Sequence, residues 1–252
     1  MTVNADLSGH VVVITGAAGD LGWGIAQACL GAGARVALVD LDAEGLAQRS
    51  GQDDERLLRL PCDVADSEQV RRVIDAVLAR WGRLDVLVNN AAVVTPGEKL
   101  GDLSLEHWQQ ALDINLTGAW LMSKFALGPM RRAGRGLVLN IASQLGSVAA
   151  PGRGAYGTSK AGLIALARAI AVDHADEGVR SVSLSPGAVL TSRVLRRYGD
   201  AETARHMLAS RYPVGRLGEV EDIAQMALFL MSKSASFMTG VDVRVDGGYT
   251  AI

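Results

Sequence analysis

Short apolar runs alternate with amphipathic stretches of helical length along most of this chain, and this alternation restricts the possible folds more than any other feature. Such a series is typical of βαβ units, in which each helix returns the chain to one parallel sheet. Most of the runs consist of Val, Ile and Leu, as expected of strands buried on both faces. The predicted strands are 10–15, 35–40, 57–63, 84–89, 136–142, 180–185 and 241–245. We therefore expect an α/β fold built on a parallel sheet of about seven strands.

The segments between these strands carry the helical period, and polar residues precede several of them as candidate N-caps. The predicted helices are 21–32, 67–80, 104–131, 154–175 and 219–232, with caps at Asp20, Asp66 and Ser104. No linker or repeat interrupts the series, so we expect a single domain, 1–252. The irregular stretch is 188–216, and a connection of that length usually has a function.

Composition and charge exclude several classes of partner. The formal net charge is −2 and the charges are spread along the chain, so a nucleic-acid surface is not expected. No apolar run reaches membrane-spanning length, and no Arg or Lys precedes Arg35, unlike in a signal peptide. The two cysteines, Cys29 and Cys62, show no metal-ligand spacing with the four histidines. We expect no nucleic-acid, membrane or metal partner, and a cytoplasmic location.

A glycine-rich turn, TGAAGDLG at residues 15–22, joins the first predicted strand to the first predicted helix. Glycines let the backbone approach a pyrophosphate closely, and a helix N-terminus offers unpaired N–H groups and the positive end of the helix dipole. The strand, turn and helix together favour a dinucleotide site over an ordinary βα turn. The expected cofactor contacts in this turn are Gly16, Gly19, Asp20 and Leu21.

Asp40 ends the second predicted strand. A carboxylate at that position accepts hydrogen bonds from the hydroxyls of an adenosine ribose and repels a 2′-phosphate, which favours NAD over NADP. No Arg or Lys stands at positions 17–19, or at the next expected contact, Leu41, to hold a 2′-phosphate. The alternative is that Asp40 is only a turn residue.

Small or polar residues also end the third and fourth predicted strands: Asp63 and Val64, then Asn89 and Ala91. The carboxyl ends of parallel strands line the crevice in which ligands bind. We expect Asp63 to accept a hydrogen bond from the adenine amino group. Asn89 and Ala91 would let the backbone approach the adenosine. Each residue alone is an ordinary strand end.

Tyr156 and Lys160 are four residues apart in a predicted helix and therefore share one face of it. A neighbouring ammonium lowers the pKa of a phenol, as a tyrosine requires to act as a base near neutral pH. Ser143, at the end of the fifth strand, would orient a substrate oxygen whose proton Tyr156 exchanges. Lys160 would also bind nicotinamide ribose hydroxyls. The side-chain amide of Asn115 would hold a water near Lys160 as a proton relay.

In order and spacing these motifs resemble the short-chain dehydrogenase/reductase family over nearly the whole chain. The matching motifs are the glycine turn, Asp63-Val64, Asn89 to Ala91, Asn115, Ser143, Tyr156 to Lys160, Pro186-Gly187 with Thr191, and VDGGY at 245–249. The resemblance implies a Rossmann-like doubly wound parallel sheet with helices on both faces, hydride transfer between a nicotinamide and an alcohol or carbonyl, and a homotetramer. It also implies nicotinamide contacts from Pro186, Gly187, Val189 and Thr191.

The chain departs from the family pattern at two positions. Asp20 stands where the family has a glycine in the turn, and Ala92 replaces a second glycine. We expect the Asp20 side chain to cap the first helix and to turn away from the pyrophosphate. The added methyl group of Ala92 is expected to matter little.

The segment 188–216 is expected to form a lid over the substrate, and arginines are frequent in it. An arginine fork suits a carboxylate, sulfonate or phosphate. Arg153, close to Tyr156 in sequence, or a lid arginine such as Arg196 is therefore a candidate for binding an anionic substrate end. The alternative is that these arginines form a solvated helix face. Gln144 is placed either to meet a hydroxylated substrate or to brace its loop.

The predicted activity is NAD-dependent interconversion of a secondary alcohol and a ketone. Small polyols, cyclic alcohols and anionic hydroxy compounds are all possible substrates. A reductase of 3-oxoacyl thioesters shares nearly all the motifs, but Asp40 counts against it because such reductases resemble NADP users. A non-catalytic dinucleotide sensor or scaffold is the alternative from another class, and the intact set of catalytic residues argues against it.

The segment 161–172, AGLIALARAIAV, is small and apolar almost all round. A helix of that kind should be buried on more than one side. A concealed core helix would satisfy this, and so would an intersubunit bundle. Together with the family resemblance, the segment favours a homotetramer.

Overall fold

A seven-stranded parallel sheet forms the centre of the computed structural model, which describes residues 5–50 and 54–252. The strands are β1 (Val11–Thr15), β2 (Arg35–Asp40), β3 (Leu57–Pro61), β4 (Val86–Asn89), β5 (Gly136–Ile141), β6 (Val179–Pro186) and β7 (Asp242–Val245). Their order is β3-β2-β1-β4-β5-β6-β7, and all neighbouring strands are parallel. The predicted Rossmann-like doubly wound sheet is confirmed. The predicted domain, 1–252, includes residues 1–4 and 51–53, which lie outside the described part of the chain.

Helices connect the strands, and several were not predicted. The helices are α1 (Asp20–Gly31), α2 (Ala43–Ser50), α3 (Ser67–Trp81), α4 (Leu105–Leu112), α5 (Gly118–Ala133), α6 (Gly154–His174), α7 (Ser192–Tyr198), α8 (Ala201–Leu208) and α9 (Val220–Met231). A π-helical turn, Asp113–Thr117, joins α4 to α5, so the segment predicted as one helix over 104–131 is helical throughout but locally widened. The unpredicted helices are α2, α7 and α8.

Two of the three predicted N-caps are confirmed. The side chains of Asp66 and Ser104 accept hydrogen bonds from backbone N–H groups two or three residues later in α3 and α4. The third prediction, at Asp20, is wrong. Gly19 is the N-cap residue of α1 and Asp20 is the first residue inside the helix, where its carboxylate makes no capping bond.

Two apolar layers cover the faces of the sheet. Residues of α1, α2 and α9 pack against one face, which includes Val12 and Ile14 of β1. Residues of α3, α5 and α6 pack against the other face, which includes Val11 and Val13. Successive side chains of a strand point to opposite faces, so a strand covered on both sides must be apolar at every position. The continuous Val/Ile run of β1 follows from this.

The strand order places the ligand crevice. The sheet grows from β1 toward β3 on one side and from β4 toward β7 on the other, so the connections leaving β1 and β4 diverge at their carboxyl ends. Helices α7 and α8 lie in the segment 188–216, and its residues Ala204, Leu208 and Tyr212 form a small apolar cluster with Leu217, which follows it. Among the described residues, no helix is both long and apolar enough to cross a bilayer.

Candidate active site

A cavity of about 920 Å³ opens at the carboxyl ends of the strands. Its lining includes nearly all of the residues expected from the sequence to contact cofactor or substrate. These are Gly16, Gly19, Asp20, Leu21, Asp40, Leu41, Asp63, Val64, Ala91, Ser143, Gln144, Arg153, Tyr156, Lys160, Pro186, Gly187, Val189, Thr191 and Arg196. Its size is in the range of sites that hold a cofactor or a small ligand.

The glycine turn is held in place by residues that follow β4. Gly16 has a positive φ of 66°, and a Cβ there would lie 2.8 Å from the Asn90 amide nitrogen and 2.9 Å from the Ala91 Cα. The Asn90 side chain donates to the Thr15 and Gly16 carbonyls at 2.9 and 3.1 Å. The backbone N–H groups of Asn90 and Ala91 both donate to the Thr15 hydroxyl. Asn90, which the sequence analysis did not single out, therefore fixes the shape of the turn.

The first turn of α1 fits a diphosphate. The backbone N–H groups of Asp20, Leu21 and Gly22 have no acceptor in the part of the chain that the structure describes. A Cβ added to Gly19 would meet only the Gly16 carbonyl oxygen, at 3.4 Å, so the cavity side of the turn is free of side chains. Unpaired N–H groups at a helix N-terminus beside a bare glycine are the arrangement that binds phosphate groups.

The Asp20 carboxylate is paired with other groups and does not place an unpaired negative charge beside these N–H groups. It forms an ion pair with Arg49 of α2 and accepts a hydrogen bond from the backbone N–H of Ser192 at 2.5 Å. Burial raises the pKa of Asp20, but the Ser192 hydrogen bonds and the Arg49 charge outweigh burial and hold the pKa below its ordinary value. The carboxylate is thus turned away from the first N–H groups of α1, as expected, but toward the lid and α2 rather than into a cap.

The residues expected at the adenosine end lie in the cavity wall, with one exception. The Asp40 carboxylate accepts the N–H groups of Ala18 and Asp42, both at 3.0 Å. The Asp63 carboxylate accepts the N–H of Ala65 at 2.9 Å. Each carboxylate has lone pairs beyond these bonds. Both can therefore also accept a hydrogen bond from a ligand in the cavity.

The exception is Asn89, which does not line the cavity, and the backbone contact expected there stays a prediction. Its side chain is buried on the other side of the sheet, where its amide nitrogen donates to the Ser123 hydroxyl at 3.0 Å and the Asn140 side-chain oxygen at 2.9 Å. The neighbouring Asn90 lines the cavity instead. Because successive strand residues face opposite ways, one of two adjacent asparagines must point away from the crevice.

Ser143 and Tyr156 meet in the cavity. Ser143 follows β5, and its hydroxyl accepts the N–H of Leu145 at 3.1 Å in a tight turn that brings the chain back toward α6. Tyr156 lies in the first turn of α6 and lines the same cavity, where the Ser143 side chain lowers the pKa of the phenol. A hydroxyl and a phenol on one cavity wall form a pair able to hold a substrate oxygen between them.

Lys160 lies one turn further along α6 and is almost completely buried, with 2% of its surface exposed. Its Nζ donates to the Ile141 carbonyl at 2.7 Å and lies 5.7 Å from the centre of the Tyr156 ring. The spacing of four residues thus brings the two side chains together, as the sequence predicted. Burial, together with the positive charge of Arg193, lowers the pKa of the lysine to about 7.

The pKa of Tyr156 depends mainly on its burial. Burial raises the pKa of the phenol above its ordinary value, and the Arg193 charge and the Ser143 hydrogen bond oppose this only in part. The cation that favours the phenolate is therefore Arg193 of α7, whose guanidinium also donates to the Ala92 carbonyl at 2.9 Å. Burial also disfavours the charged form of Lys160, and the lowering of the phenol pKa expected from its ammonium stays a prediction.

Asn115 lies in the π-helical turn and is fully buried. Its amide nitrogen donates to the Val93 carbonyl and the Ser159 hydroxyl, both at 3.0 Å, and its oxygen accepts the Val93 N–H at 2.8 Å. Both amide hydrogens are used, so the side chain would hold a water through the second lone pair of its oxygen. The relay role stays a prediction. Asn115 fastens the segment after β4 to α6 beside Tyr156 and Lys160.

The segment after β6 forms another wall of the cavity. Val189 pairs with Gly218 in an isolated bridge that uses the carbonyl of Ala188 and the N–H of Leu190. The N–H of Val189 therefore points away from Gly218. Thr191 follows and is the N-cap residue of α7. These positions match the expected nicotinamide contacts, which stay a prediction.

The three candidate substrate residues have different surroundings. Gln144 is buried, and its amide nitrogen donates to the Tyr212 hydroxyl at 3.2 Å. Arg153 is partly buried and donates to the Thr95 carbonyl at 3.3 Å. Arg196 is exposed on α7. All three line the same cavity.

Comparison with known proteins places the chain in a family. Residues 16–250 match a family model described as enoyl-(acyl carrier protein) reductase. D-threitol dehydrogenase of Mycolicibacterium smegmatis is 40% identical over 97% of this chain and 94% of that protein. The 2,5-dichloro-2,5-cyclohexadiene-1,4-diol dehydrogenase of Sphingobium indicum is 35% identical over 98% of this chain and 100% of that protein. A 3-ketoacyl-(acyl-carrier-protein) reductase of Brucella melitensis, solved with NADH, has a TM-score of 0.90 and 29% identity over 97% of this chain and 100% of that one.

The doubly wound sheet, the glycine turn and the Ser143, Tyr156 and Lys160 cluster define an oxidoreductase site. The chain belongs to the short-chain dehydrogenase/reductase family.

Proposed function

We propose that this protein oxidises a secondary alcohol to a ketone, with NAD as the hydride acceptor and Tyr156 as the base. The observation that carries the proposal is that Ser143, Tyr156 and buried Lys160 line the same cavity as the first residues of α1, whose N–H groups are unpaired. One end of the cavity suits a diphosphate and the other suits a substrate hydroxyl. A dinucleotide bound along it would reach both.

The chemistry follows from the groups around Tyr156. The Ser143 hydroxyl and the Tyr156 phenolate oxygen would hold the substrate hydroxyl, which gives its proton to the phenolate. A nicotinamide bound in the cavity would supply the acceptor for the hydride that leaves the same carbon. Lys160, with its pKa lowered by burial to about 7, can release and regain a proton near neutral pH and is placed to pass on the proton that Tyr156 receives.

Preference for NAD over NADP is part of the proposal. Asp40 lines the cavity beside the exposed Leu41, where a 2′-phosphate would meet its carboxylate. The structure also brings Arg49 near the turn, where its guanidinium donates to the Ala18 carbonyl. That cation is already paired with Asp20. The positive charge of Arg49, which could otherwise bind a 2′-phosphate, is therefore partly neutralised.

Small polyols and cyclic alcohols are the substrates we propose first. The two curated relatives are named for D-threitol and for a cyclohexadienediol. A cavity whose polar side chains are accompanied by apolar ones such as Val93, Val94 and Leu145 suits a compact hydroxylated carbon skeleton.

An anionic substrate end is a second candidate, favoured by the arginines of the cavity. Five arginines line it, and none is paired with a carboxylate in the part of the chain that the structure describes. They are Arg153, Arg193, Arg196, Arg197 and Arg211. If they bind an anion, Arg153→Ala and Arg196→Ala should lose more activity toward hydroxy acids than toward neutral alcohols. Equal losses would exclude this candidate.

The experiment for the main proposal is a screen of NAD reduction across neutral polyols, cyclic alcohols and hydroxy acids, with wild type and Tyr156→Phe. Removal of a general base lowers turnover by about 10² to 10⁴-fold. We expect that loss in Tyr156→Phe, with unchanged NADH binding by fluorescence titration. A Tyr156→Phe protein that turns over as wild type does would exclude the role of the phenol, and a wild type that binds NADH but oxidises no alcohol would exclude the function.

A homotetramer in the cytoplasm completes the proposal. The outer face of α6 carries an exposed row of small and apolar side chains at Ala161, Ala165, Ala169 and Val172, and Val172 is 81% exposed. Trp120 of α5 is exposed as well. Contiguous exposed apolar surface is typical of an interface between proteins. Light scattering with wild type and Val172→Glu would test it, since a charge in such an interface should dissociate the assembly.

The location in the cytoplasm is supported by Cys29 and Cys62, which are both free and buried. Thiols persist in reducing compartments. The segment 188–216 is proposed as the substrate lid, because it contributes Arg193, Leu208 and Tyr212 to the cavity wall.

A further inference from the structure

Gln144 is buried, with only 7% of its surface exposed. Its side-chain oxygen nevertheless has no hydrogen-bond partner in the described part of the chain. Buried polar atoms are nearly always hydrogen-bonded, and an exception calls for a reason. Several other buried side-chain atoms also lack partners, but of these residues only Gln144 lines the cavity. Gln144 is therefore the cavity residue among these whose side chain keeps an unused hydrogen-bond acceptor.

Tyr212 supplies a donor next to this acceptor. Its hydroxyl oxygen accepts two hydrogen bonds, from the Gln144 amide nitrogen at 3.2 Å and from the Ala188 N–H at 2.9 Å. A phenol oxygen can accept two hydrogen bonds and donate one. No acceptor for the phenol proton occurs among the described residues. Gln144 and Tyr212 thus present one free acceptor and one free donor side by side, which is the complement of a hydroxyl group.

The positions of both side chains are well fixed. Tyr212 is buried in the apolar cluster of the lid and packs on the Tyr249 ring, with ring centres 5.2 Å apart. Gly187 lies against the pair, where a Cβ would come within 3.0 Å of both the Gln144 oxygen and the Tyr212 ring. The lack of a side chain at Gly187 keeps the approach to the two polar atoms open.

Gln144 directly follows Ser143, and consecutive Cα atoms are about 3.8 Å apart. A group bound by Gln144 is therefore only a short distance from the oxygen held by Ser143 and Tyr156. We propose that Gln144 and Tyr212 bind a second substrate hydroxyl, on a carbon next to the one that is oxidised, and that the preferred substrates are vicinal diols and polyols. This inference rests on the proposed alcohol oxidation.

Other substrate classes fit this position less well. An alkyl group there would leave the buried Gln144 oxygen unpaired, and a site built to bind a hydroxyl rejects analogues that lack it. A carboxylate would place a negative oxygen against the partial negative charge of the amide oxygen. An anion bound by the cavity arginines must therefore lie elsewhere than beside Gln144.

The test compares cis-cyclohexane-1,2-diol with cyclohexanol, and meso-butane-2,3-diol with butan-2-ol, by kcat/KM with NAD. The variants are Gln144→Met, which keeps the length of the side chain without its amide, and Tyr212→Phe. Gln110→Met, an exposed glutamine on α4, is the matched control. We expect wild type to prefer each diol, and Gln144→Met to lose about 10- to 100-fold on the diols but less than about threefold on the simple alcohols.

Tyr212→Phe keeps the ring packing and should show the same selective loss, which covers the case in which Gln144→Met does not fold. Equal losses on diol and simple alcohol in both variants would overturn the inference and leave Gln144 as a brace for the Ser143 loop. Equal wild-type activity on both substrate types would also overturn it while the proposed oxidation stands. If wild type binds NADH but oxidises none of the four alcohols, the proposed function fails and the inference fails with it.

Discussion

The Asp20 carboxylate accepts a hydrogen bond from the backbone N–H of Ser192 at 2.5 Å, although 172 residues separate the two in sequence. The bond links the first residue of α1, in the turn proposed to bind the cofactor, to the first residue of α7, in the segment proposed as the lid. Arg49 pairs with the same carboxylate, so one side chain joins three segments. The aspartate that stands in place of a family glycine therefore ties the lid to the turn.

Asp20→Asn should loosen the lid. A hydrogen bond to a charged acceptor is stronger than a neutral one by about 1 kcal/mol, so its replacement should raise the KM for the alcohol about fivefold with a smaller change in kcat. Trypsin should also cleave faster after the lid arginines. Asp75→Asn, which breaks only an exposed pair on α3, is the control. Unchanged KM and unchanged proteolysis would show that the contact does not hold the lid.

Arg193→Gln should shift the pH profile of alcohol oxidation. The positive charge of Arg193 lowers the pKa of Tyr156, so its removal raises that pKa. Oxidation requires the phenolate and increases with pH through this pKa, so the rising limb should move to higher pH. Arg193→Lys should restore it. Arg197→Gln, another exposed arginine of α7, serves for comparison, and an equal shift in that variant would argue against a specific effect of Arg193.

Asp40→Ala should raise the use of NADP relative to NAD. The change removes the carboxylate that would repel a 2′-phosphate, and we expect the ratio of the two kcat/KM values to shift about tenfold. The neighbouring Asp42→Ala removes a carboxylate outside the cavity lining and should leave the ratio unchanged. If Asp40→Ala keeps the wild-type ratio, Asp40 does not select the cofactor.

Asp85→Asn should destabilise the fold in a pH-dependent way. Burial raises the pKa of this carboxyl, but hydrogen bonds from Arg83 and the Val11 N–H outweigh burial and leave the pKa lowered. A lowered pKa means that the stabilisation is present above the ordinary carboxyl pKa and is lost as the pH falls through the folded-state value. Urea unfolding should show a loss of about 1–3 kcal/mol at pH 7. A difference from wild type that does not shrink as the pH falls below about 4 would contradict this account.

The sequence predicted the parts of the site that depend on local spacing. Tyr156 and Lys160 share a face of α6 because they are one helical turn apart. The seven strands were recognisable as apolar runs because both faces of the sheet are covered. The short helices α2, α7 and α8 were missed, since helices of seven or eight residues have little stability of their own and form through packing.

The orientation of strand-end residues could not be predicted in the same way. A strand buried on both faces has no polar side, so its pattern does not show which of Asn89 and Asn90 faces the crevice. The role of Asn115 likewise depends on Val93 and Ser159, which are 22 and 44 residues away. Such contacts exist only once the sheet and α6 are assembled.

The sequence by itself determined the fold class, the glycine turn between β1 and α1 and the pairing of Tyr156 with Lys160 on one helix face, because these depend on residue type and on distances of a few positions along the chain. Only the tertiary structure decided the direction of the Tyr156 pKa, the partners of Asp20 and the unpaired oxygen of Gln144. Desolvation and hydrogen bonding act between groups that are close in space. The groups concerned come from segments that are far apart in sequence.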